Sequence, residues 1–344
     1  MKTIVIIGAG MMGAAISLPA CDNGHRVRIV GTHLDRGIID HARETGEHLT
    51  MKRALPPQAE YYQIEQLEAA LDGADVVIGG VSSFGVQWFA EAVVPRIPKK
   101  VPILSVTKGL INRPDGSMVT FPHLLSELCG EGYSFNAIGG PCTSYELADR
   151  RHSSVAFCGE DMGVLRMLKV LLETDYYHIS LSTDVIGVEC AVAMKNAYAL
   201  AVSLAIGMIE KEEGECATLA YNPQAALFGQ SVREMGRMIA LVGGGPQNII
   251  YAAGDLYVTI FGGRTRRLGT LLGKGYSFGE AMERLSGVTL ESVVIANRTI
   301  NAMEVLSATG KARKEDFPLL FHIGRLLAGE TSIQIPWTQF ETEG

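Results

Sequence analysis

The chain has 344 residues, a length that favours two domains over one. Hydrophobic residues make up 47% of it and charged residues 19%, which is ordinary for a globular enzyme. The net charge of −7 argues against a general attraction to nucleic acid or anionic membranes, so an anionic substrate would need a local basic pocket.

Cysteine usage and apolar runs predict a cytoplasmic protein. The cysteines show no C-x-x-C spacing, which favours isolated reduced thiols. The N-terminus MKTIVIIGAG does not have the pattern of a signal peptide. No apolar run reaches the roughly 20 residues that a membrane span needs, so we expect neither membrane insertion nor a nucleic-acid partner. The six cysteines are Cys21, Cys129, Cys142, Cys158, Cys190 and Cys216.

The first half of the chain alternates short β-rich runs with helical patterns such as MMGAAISLPACDNG and SFGVQWFAEAVVPRI. This alternation predicts a parallel sheet covered by helices on both faces. The predicted strands are Thr3–Gly8, Arg26–Val30, Asp75–Gly80, Pro102–Val106, Phe135–Gly140 and Ser154–Cys158, and a further β-rich run, YYHISL, ends at Leu181.

The segment GAGMMG (residues 8–13) matches G-x-G-x-x-G between a predicted strand and a helical pattern. In such a loop Gly8 permits the tight turn, Gly10 lets the backbone approach a pyrophosphate, and Gly13 lets the helix pack close to the strand. The helix N-terminus then offers N–H groups and a positive dipole end to the phosphates. The loop predicts a dinucleotide cofactor, NAD or NADP.

The segment after the second strand, VGTHLDR (residues 30–36), leaves the choice between NAD and NADP open. An acid at the strand end would bind the ribose 2′-hydroxyl of NAD, whereas a basic residue would suit the 2′-phosphate of NADP. No acid follows the strand directly. Arg36 could reach a phosphate, or it could be a solvated surface arginine.

Lys108, in SVTKGL, follows a predicted buried strand and precedes a glycine. This position predicts a lysine at the carboxyl edge of the sheet, where open α/β sheets bind ligands. A loop lysine can also be merely solvated.

After Thr183 the strand signals fade and helical patterns rich in small residues take over. We therefore predict a dinucleotide-binding domain at residues 1–184 and a helical substrate-binding domain at residues 185–344. The predicted helices cover residues 185–209, 223–243, 265–273, 278–285 and 290–308, and the polar tail QIPWTQFETEG is expected to be partly loose.

Lys195 sits in the apolar run GVECAVAMKNAYALAVSLAIGM (residues 187–208), with Asn196 beside it. A lysine there is costly unless its charge is paired or its pKa is lowered. Either condition makes it useful for donating and accepting protons. The alternative is a lysine whose stem packs while its head reaches the surface. The adjacent asparagine and the scarcity of other charges favour a functional lysine.

The segment AAGDLYVTIFGGRTRRLG (residues 252–269) carries Asp255 and then Arg264, Arg266 and Arg267 around a Gly–Gly pair. Arginines bind phosphate oxygens in bidentate fashion, and glycines permit close backbone approach. This segment is the best candidate for a local anion pocket, although some of its arginines can simply form a charged helix start.

The order of the motifs GAGMMG, TKGL, GGPCTSYELA, GVECAVAMKNAYALA, AAGDLYVT and GRTRRLG resembles the soluble NAD(P)-dependent glycerol-3-phosphate dehydrogenases, from residue 4 to about residue 300. The resemblance implies an N-terminal Rossmann-type, doubly wound α/β domain and an all-helical C-terminal domain, as in 6-phosphogluconate-dehydrogenase-like proteins, with the site between them. It also implies an NAD(P)-dependent hydride transfer between sn-glycerol 3-phosphate and dihydroxyacetone phosphate. We further expect a homodimer.

The resemblance assigns roles to residues of this chain. Lys195 matches the catalytic lysine, Lys108 the lysine near nicotinamide and substrate, and Asp255 the site aspartate. Arg264 matches the arginine that serves substrate phosphate and cofactor, and Glu291 falls near a late cofactor-contacting acid. The expected catalytic residues are Lys195, Lys108, Asp255 and Asn196. The expected substrate-binding residues are Gly140, Cys142, Gly263, Arg264 and Thr265. The expected cofactor-binding residues are Gly8, Gly10, Met11, Met12, Gly13, Thr32, Lys108, Ser144, Arg264 and Glu291, and no metal is expected.

Three motifs depart from the family pattern. The family's Ser-Arg-Asn is GRT (residues 263–265), its Gly-Pro-Ser/Thr-Phe-Ala is GPCTS (residues 140–144), and its Val-Pro-Ser is VSS (residues 81–83). These changes leave open a dehydrogenase of the same fold that acts on another small phosphorylated sugar alcohol or hydroxy acid. A second alternative is a non-catalytic dinucleotide-binding regulator, in which the lysine–aspartate set would be broken; here it is intact.

Overall fold

Runs of β-branched and aliphatic residues such as TIVII form one eight-stranded sheet, which builds the first half of the chain. Its strand order is β10-β9-β8-β5-β4-β1-β2-β3, and β6 and β7 form a separate two-stranded sheet. The strands are β1 (Thr3–Ile7), β2 (Arg26–Val30), β3 (Glu60–Tyr62), β4 (Val76–Gly79), β5 (Ile103–Ser105), β6 (Leu110–Asn112), β7 (Met118–Thr120), β8 (Phe135–Gly139), β9 (Ser153–Cys158) and β10 (Tyr177–Ser182).

All the predicted strands are present, but the sheet is not wholly parallel. β9 runs antiparallel to β8, while every other neighbouring pair in the eight-stranded sheet is parallel. The connection between β8 and β9 contains only a five-residue helix, Ser144–Ala148, whereas a parallel crossover usually needs a full covering helix. The sequence also missed β3, a three-residue edge strand.

Helices cover both faces of the sheet. The predicted helix MMGAAISLPACDNG is divided at Ile16, because Pro19 has no N–H to donate to the carbonyl one turn earlier. In the second predicted helix, a short α-helical turn continues as a π-helical turn at Phe89–Val93. The helices are α1 (Met11–Ala15), α2 (Ser17–Asp22), α3 (Arg36–Thr45), α4 (Leu67–Leu71), α5 (Val86–Trp88), α6 (Phe121–Cys129), α7 (Ser144–Ala148) and α8 (Met162–Leu172).

The described residues from 185 onward are mainly helical, as predicted, and they form two helices more than the sequence indicated, α11 (Ile249–Thr259) and α15 (Pro318–Leu327). The tail is held in part, because Arg233 donates a hydrogen bond of 2.7 Å to the carbonyl of Phe340. The helices are α9 (Val185–Glu213), α10 (Tyr221–Leu241), α11 (Ile249–Thr259), α12 (Gly263–Gly273), α13 (Phe278–Arg284), α14 (Glu291–Ala308) and α15 (Pro318–Leu327).

α9 is the central helix of this helical part. It is long and apolar enough to cross a membrane, yet 78% of its most apolar window is buried inside the protein. It packs backbone to backbone against α12: a Cβ built on Gly207 would lie 2.0 Å from the carbonyl oxygen of Thr270, and one on Gly273 would lie 2.3 Å from that of Leu204. α9 is therefore a core helix around which the others assemble.

The computed structural model describes residues 1–214, 221–285 and 290–341, so Cys216 lies outside the described residues. By its internal contacts the chain divides into two units, Met1–Lys108 with Thr120–Val188 and Gly109–Val119 with Glu189–Gly344. The domain boundary between residues 184 and 185 stays a prediction.

Candidate active site

The three glycines of the loop after β1 serve different purposes. Gly8 has a φ of +106°, and a Cβ there would lie 2.7 Å from the carbonyl of Gly80. A Cβ on Gly13 would lie 2.1 Å from the carbonyl oxygen of Gly8. A Cβ on Gly10, by contrast, would meet no described atom within 4 Å. Gly8 and Gly13 are therefore needed for packing, whereas Gly10 leaves an open backbone surface that fits the approach of a pyrophosphate.

The peptide group of Ala9, inside this loop, is held on both sides. Its N–H donates to Asp35 Oδ2 at 3.1 Å, and its carbonyl oxygen lies 2.8 Å from Nε2 of His48. His48 is fully buried, and its Nδ1 accepts from the backbone N–H of Thr50 and Met51. The Nε2 atom must therefore carry the hydrogen and donate it to Ala9. Burial lowers the pKa of His48, which favours this neutral form.

The sequence did not predict either of the residues that form hydrogen bonds with the Ala9 peptide group, His48 and Asp35. His48 lies in an irregular segment 35 residues beyond the loop, where no pattern connects it with residues 8–13. Asp35 could have been suspected, because the acid that follows β2 in such folds is a known feature. In this chain, the carboxylate of Asp35 accepts a hydrogen bond from the backbone of the glycine loop.

The carboxylate of Asp35 also stabilises the turn that follows β2. Asp35 Oδ2 accepts hydrogen bonds of 2.8 Å from both the backbone N–H and the hydroxyl of Thr32. Thr32, expected to contact cofactor, is buried with its hydroxyl bound in this way. Arg36 is exposed and forms an ion pair with Glu65. The structure thus places Thr32 beside the glycine loop and Arg36 on the surface next to it.

Lys108 lies at the carboxyl edge of the sheet, as predicted. Its Nζ donates a hydrogen bond of 2.7 Å to the carbonyl oxygen of Gly140, which follows β8, the neighbour of β5. Lys108 and Gly140 line a small cavity together with Met12 and Cys142. Four residues that the sequence assigned to cofactor or substrate therefore meet at one point of the first unit.

The remaining residue of the GPCTS segment expected to contact cofactor is Ser144, the first residue of α7. It is buried, and the side chain of Thr143 caps the same helix by accepting from the backbone N–H of Glu146. This cap explains locally why the chain turns into a helix directly after Cys142.

Lys195 and Asp255 form a buried ion pair in the second unit. Lys195 Nζ lies 2.6 Å from Asp255 Oδ1, and the two side chains are 16% and 1% exposed. α9 carries the lysine and α11, which the sequence did not predict, carries the aspartate. Of the two conditions that the sequence allowed for a buried lysine, the structure shows the paired charge, with part of the lysine side chain still accessible.

The first turn of α12 lies beside the part of α9 that carries Lys195. Gly269 packs against Leu200 and Gly273 against Leu204, so the two helices run in the same direction along their contact. The same pairing, extended by about one and a half turns toward the N-termini of the two helices, places Gly263 and Arg264 at the height of Lys195 and Asn196 along the helix axes. Gly263 has a φ of +83°, which glycine adopts without strain. Arg264 is exposed and Thr265 is partly buried.

The two remaining expectations concern Glu291 and metal binding. Glu291 is the first residue of α14, and its side chain lies outside the described residues. Within residues 1–214, 221–285 and 290–341 no group of three or more metal-ligating side chains occurs.

Comparison with known proteins identifies the family. The model of the NAD-dependent glycerol-3-phosphate dehydrogenase N-terminus matches residues 3–164, and the model of the C-terminus matches residues 184–337. An NADP(+)-dependent glycerol-3-phosphate dehydrogenase of Archaeoglobus fulgidus is 34% identical over 285 residues, which cover 82% of this chain and 83% of the relative. A glycerol-3-phosphate dehydrogenase [NAD(P)+] of Bacillus velezensis is 29% identical, over 89% and 85% of the two chains.

The fold is also found among solved structures. The glycerol-3-phosphate dehydrogenase of Coxiella burnetii superposes with a TM-score of 0.78 at 24% identity, over 98% of this chain and 97% of that one. Its likeness supports a doubly wound N-terminal sheet followed by a helical domain. From the matched residues and the Archaeoglobus relative together, the chain belongs to the family of NAD-dependent glycerol-3-phosphate dehydrogenases.

Proposed function

We propose that this protein is a dehydrogenase that interconverts sn-glycerol 3-phosphate and dihydroxyacetone phosphate with NAD or NADP. The observation that carries the proposal is the 2.6 Å ion pair between Lys195 and Asp255, level with the arginine-bearing start of α12, in a chain of this family. When bound, the nicotinamide dinucleotide supplies the hydride donor or acceptor, and the chain supplies orientation, charge and the proton.

Lys195 acts as the general acid and base at the C2 oxygen. In reduction its ammonium group donates a proton to the oxygen as negative charge develops there; in oxidation the neutral amine takes the hydroxyl proton back. Asp255 is buried and fixed in α11, so it holds the ammonium group in place. The exposed fraction of the Lys195 side chain lets the amine exchange its proton with solvent. Lys108 and Asn196 orient the substrate oxygens.

The substrate phosphate is bound by Arg264 and Thr265 and by the backbone N–H of Gly263. A planar guanidinium matches two phosphate oxygens, and the start of an α-helix favours an anion. Gly140 and Cys142, beside Lys108, complete the substrate contacts. The glycine loop, with the N–H groups of Met11 and Met12, would hold the pyrophosphate of the cofactor. Thr32, Ser144, Lys108, Arg264 and Glu291 are the further residues proposed to contact the cofactor.

Turnover tests the role of Lys195. We expect Lys195→Met to abolish oxidation of NADH or NADPH by dihydroxyacetone phosphate while leaving cofactor binding unchanged. Lys211→Met, in the last turn of the same helix, is the matched control and should remain active. Near-normal activity of Lys195→Met would show that the proton comes from another group.

A panel of ketones tests the substrate. We expect Arg264→Ala to raise KM for dihydroxyacetone phosphate about 10- to 100-fold, because a hydrogen bond to a charged group contributes about 1.5–3 kcal/mol. The KM for unphosphorylated dihydroxyacetone should barely change. An equal effect on both ketones would remove the phosphate role of Arg264. Oxidation with a different ketone alone would favour another substrate, and tight cofactor binding without any turnover would favour a regulator.

We also propose that the enzyme is a cytoplasmic homodimer that connects carbohydrate and glycerophospholipid metabolism. Support for the compartment comes from the cysteines, since none of the five in the described part of the chain forms a disulfide. Two-fold dimers are the commonest oligomers of soluble enzymes. Light scattering of the purified protein tests the dimer, and a mass of 37 kDa would contradict it.

A further inference from the structure

A cavity of about 580 Å³ along the side of α12 is lined by four arginine side chains. Arg264, Arg266 and Arg267 reach it from α12, and Arg284 reaches it from α13. Ile206 and Glu210 of α9 form its other side. The volume lies within the range of about 300–1,000 Å³ that is usual for sites of small molecules.

The charge in this cavity is poorly balanced. Glu210, its only acidic lining residue among those described, is bound to Lys274 at 2.9 Å. Within the described ranges, Arg264, Arg267 and Arg284 have no carboxylate within ion-pair distance. Arg284 instead lies over the ring of Tyr276, and Arg266 donates to the carbonyl of Phe261. Four guanidinium groups around one space repel each other, and an anion in that space would relieve the repulsion.

The far part of this cavity is out of reach of the substrate, an argument that rests on the proposed function. Ile206 and Glu210 lie 11 and 15 residues beyond Lys195 on the same helix, which is about 16 and 22 Å along its axis. A three-carbon phosphate is shorter than two helical turns, about 11 Å. With its C2 at Lys195, its phosphate reaches Arg264 but not the end of the cavity that Ile206 and Glu210 line.

We propose that Arg267, Arg284 and Arg266 form a second anion site, which takes a ligand with two or more linked or neighbouring phosphate groups. Several arginine forks suit several phosphate groups, whereas one phosphate needs one or two. Ile206 and Leu271 supply an apolar wall for the remainder of the ligand. Because the site shares α12 with Arg264, occupancy would alter the affinity for substrate, so the ligand is a regulator rather than a reactant.

Titration calorimetry of the full chain with inorganic tripolyphosphate, pyrophosphate and phosphate tests the site. We expect tripolyphosphate to bind more tightly than pyrophosphate and phosphate to bind weakest. The double variant Arg267→Ala/Arg284→Ala should raise the Kd for tripolyphosphate at least about tenfold, since charge-assisted hydrogen bonds are lost. Its kcat and its KM for dihydroxyacetone phosphate without tripolyphosphate should equal those of the wild type.

Three controls separate this site from the active site. Arg313→Ala removes another exposed arginine of the same unit and should leave tripolyphosphate binding unchanged. Lys195→Met should also bind tripolyphosphate like the wild type, whatever its own activity proves to be. Saturating NADH or NADPH should not displace tripolyphosphate. Unchanged affinity in the double variant, displacement by cofactor, or equal loss in Arg313→Ala would each overturn the proposal, and none of these results depends on turnover.

Discussion

Gly10→Ala should separate cofactor binding from folding in this enzyme. Gly10 has a φ of −62° and a ψ of 170°, which alanine adopts without strain, and its Cβ would meet no described atom within 4 Å. We therefore expect the free energy of unfolding to rise by about 0.4–1 kcal/mol, because alanine restricts the unfolded chain. The same methyl group fills the open surface that the pyrophosphate approaches. Losing one hydrogen bond to a charged phosphate costs about 1.5–3 kcal/mol, so the Kd for NADH or NADPH should rise about 10- to 100-fold.

Thermal unfolding and fluorescence titration of the reduced cofactor measure the two effects. Gly37→Ala is the matched control, since a Cβ at Gly37 on α3 also meets no described atom within 4 Å. It should change stability slightly and leave cofactor affinity alone. Gly13→Ala should instead destabilise the fold, because its Cβ would lie 2.1 Å from a carbonyl oxygen. If Gly10→Ala binds NADH and NADPH as tightly as the wild type, the pyrophosphate does not lie at this loop.

Three more predictions concern His48, Arg36 and Glu234. His48→Ala removes the hydrogen bond to the carbonyl of Ala9 and so loosens the glycine loop. It should raise the Kd for cofactor several-fold and leave the KM for substrate unchanged in steady-state kinetics. A rise in both constants would indicate a general loss of structure instead. Arg36→Ala should weaken binding of NADPH but not of NADH in fluorescence titrations, and an equal effect on both would make Arg36 an ordinary surface residue. Burial raises the pKa of Glu234 to about 6, so this group stabilises the fold below pH 4.5 and loses that contribution as pH rises through 6. Stability of Glu234→Gln, measured by urea unfolding, should therefore fall by about 1 kcal/mol less than that of the wild type between pH 4.5 and 6, and parallel curves would contradict this.

Local patterns were enough to predict the sheet and most helices, because the information lay within short windows. The runs at β1 and β2 are β-branched and bounded by glycines, and the apolar, alanine-rich run of α9 extends over many turns. α11 was missed because its LYVT segment has the composition of a strand, and packing against α10 and α12 overrides that preference. α15 was missed because its boundaries carry few cap signals besides Pro318.

The candidate site likewise contains residues that local motifs predict and contacts that they do not. Residues named by a motif, such as Lys108 and Lys195, lie where the motifs indicate, and the family resemblance already grouped Asp255 with Lys195. The distances and the other partners needed coordinates. The pairing of Lys195 with Asp255 spans 60 residues and depends on how α9 and α11 pack. The bond between His48 and Ala9 depends on the path of an irregular loop. No periodicity or spacing encodes such distant contacts in a single sequence.

The backbone contact between α9 and α12 limits which changes the protein can accumulate. Gly207 is 12 residues from Lys195, about 18 Å along the helix, and contacts neither substrate nor cofactor in the arrangement proposed. A side chain at that position would nevertheless push α12 away and carry Arg264 out of line with Lys195. Laboratory evolution of the substrate range should therefore find tolerant positions at Cys142 and Thr265, whereas libraries at Gly207, Gly269 and Gly273 should yield almost only inactive clones.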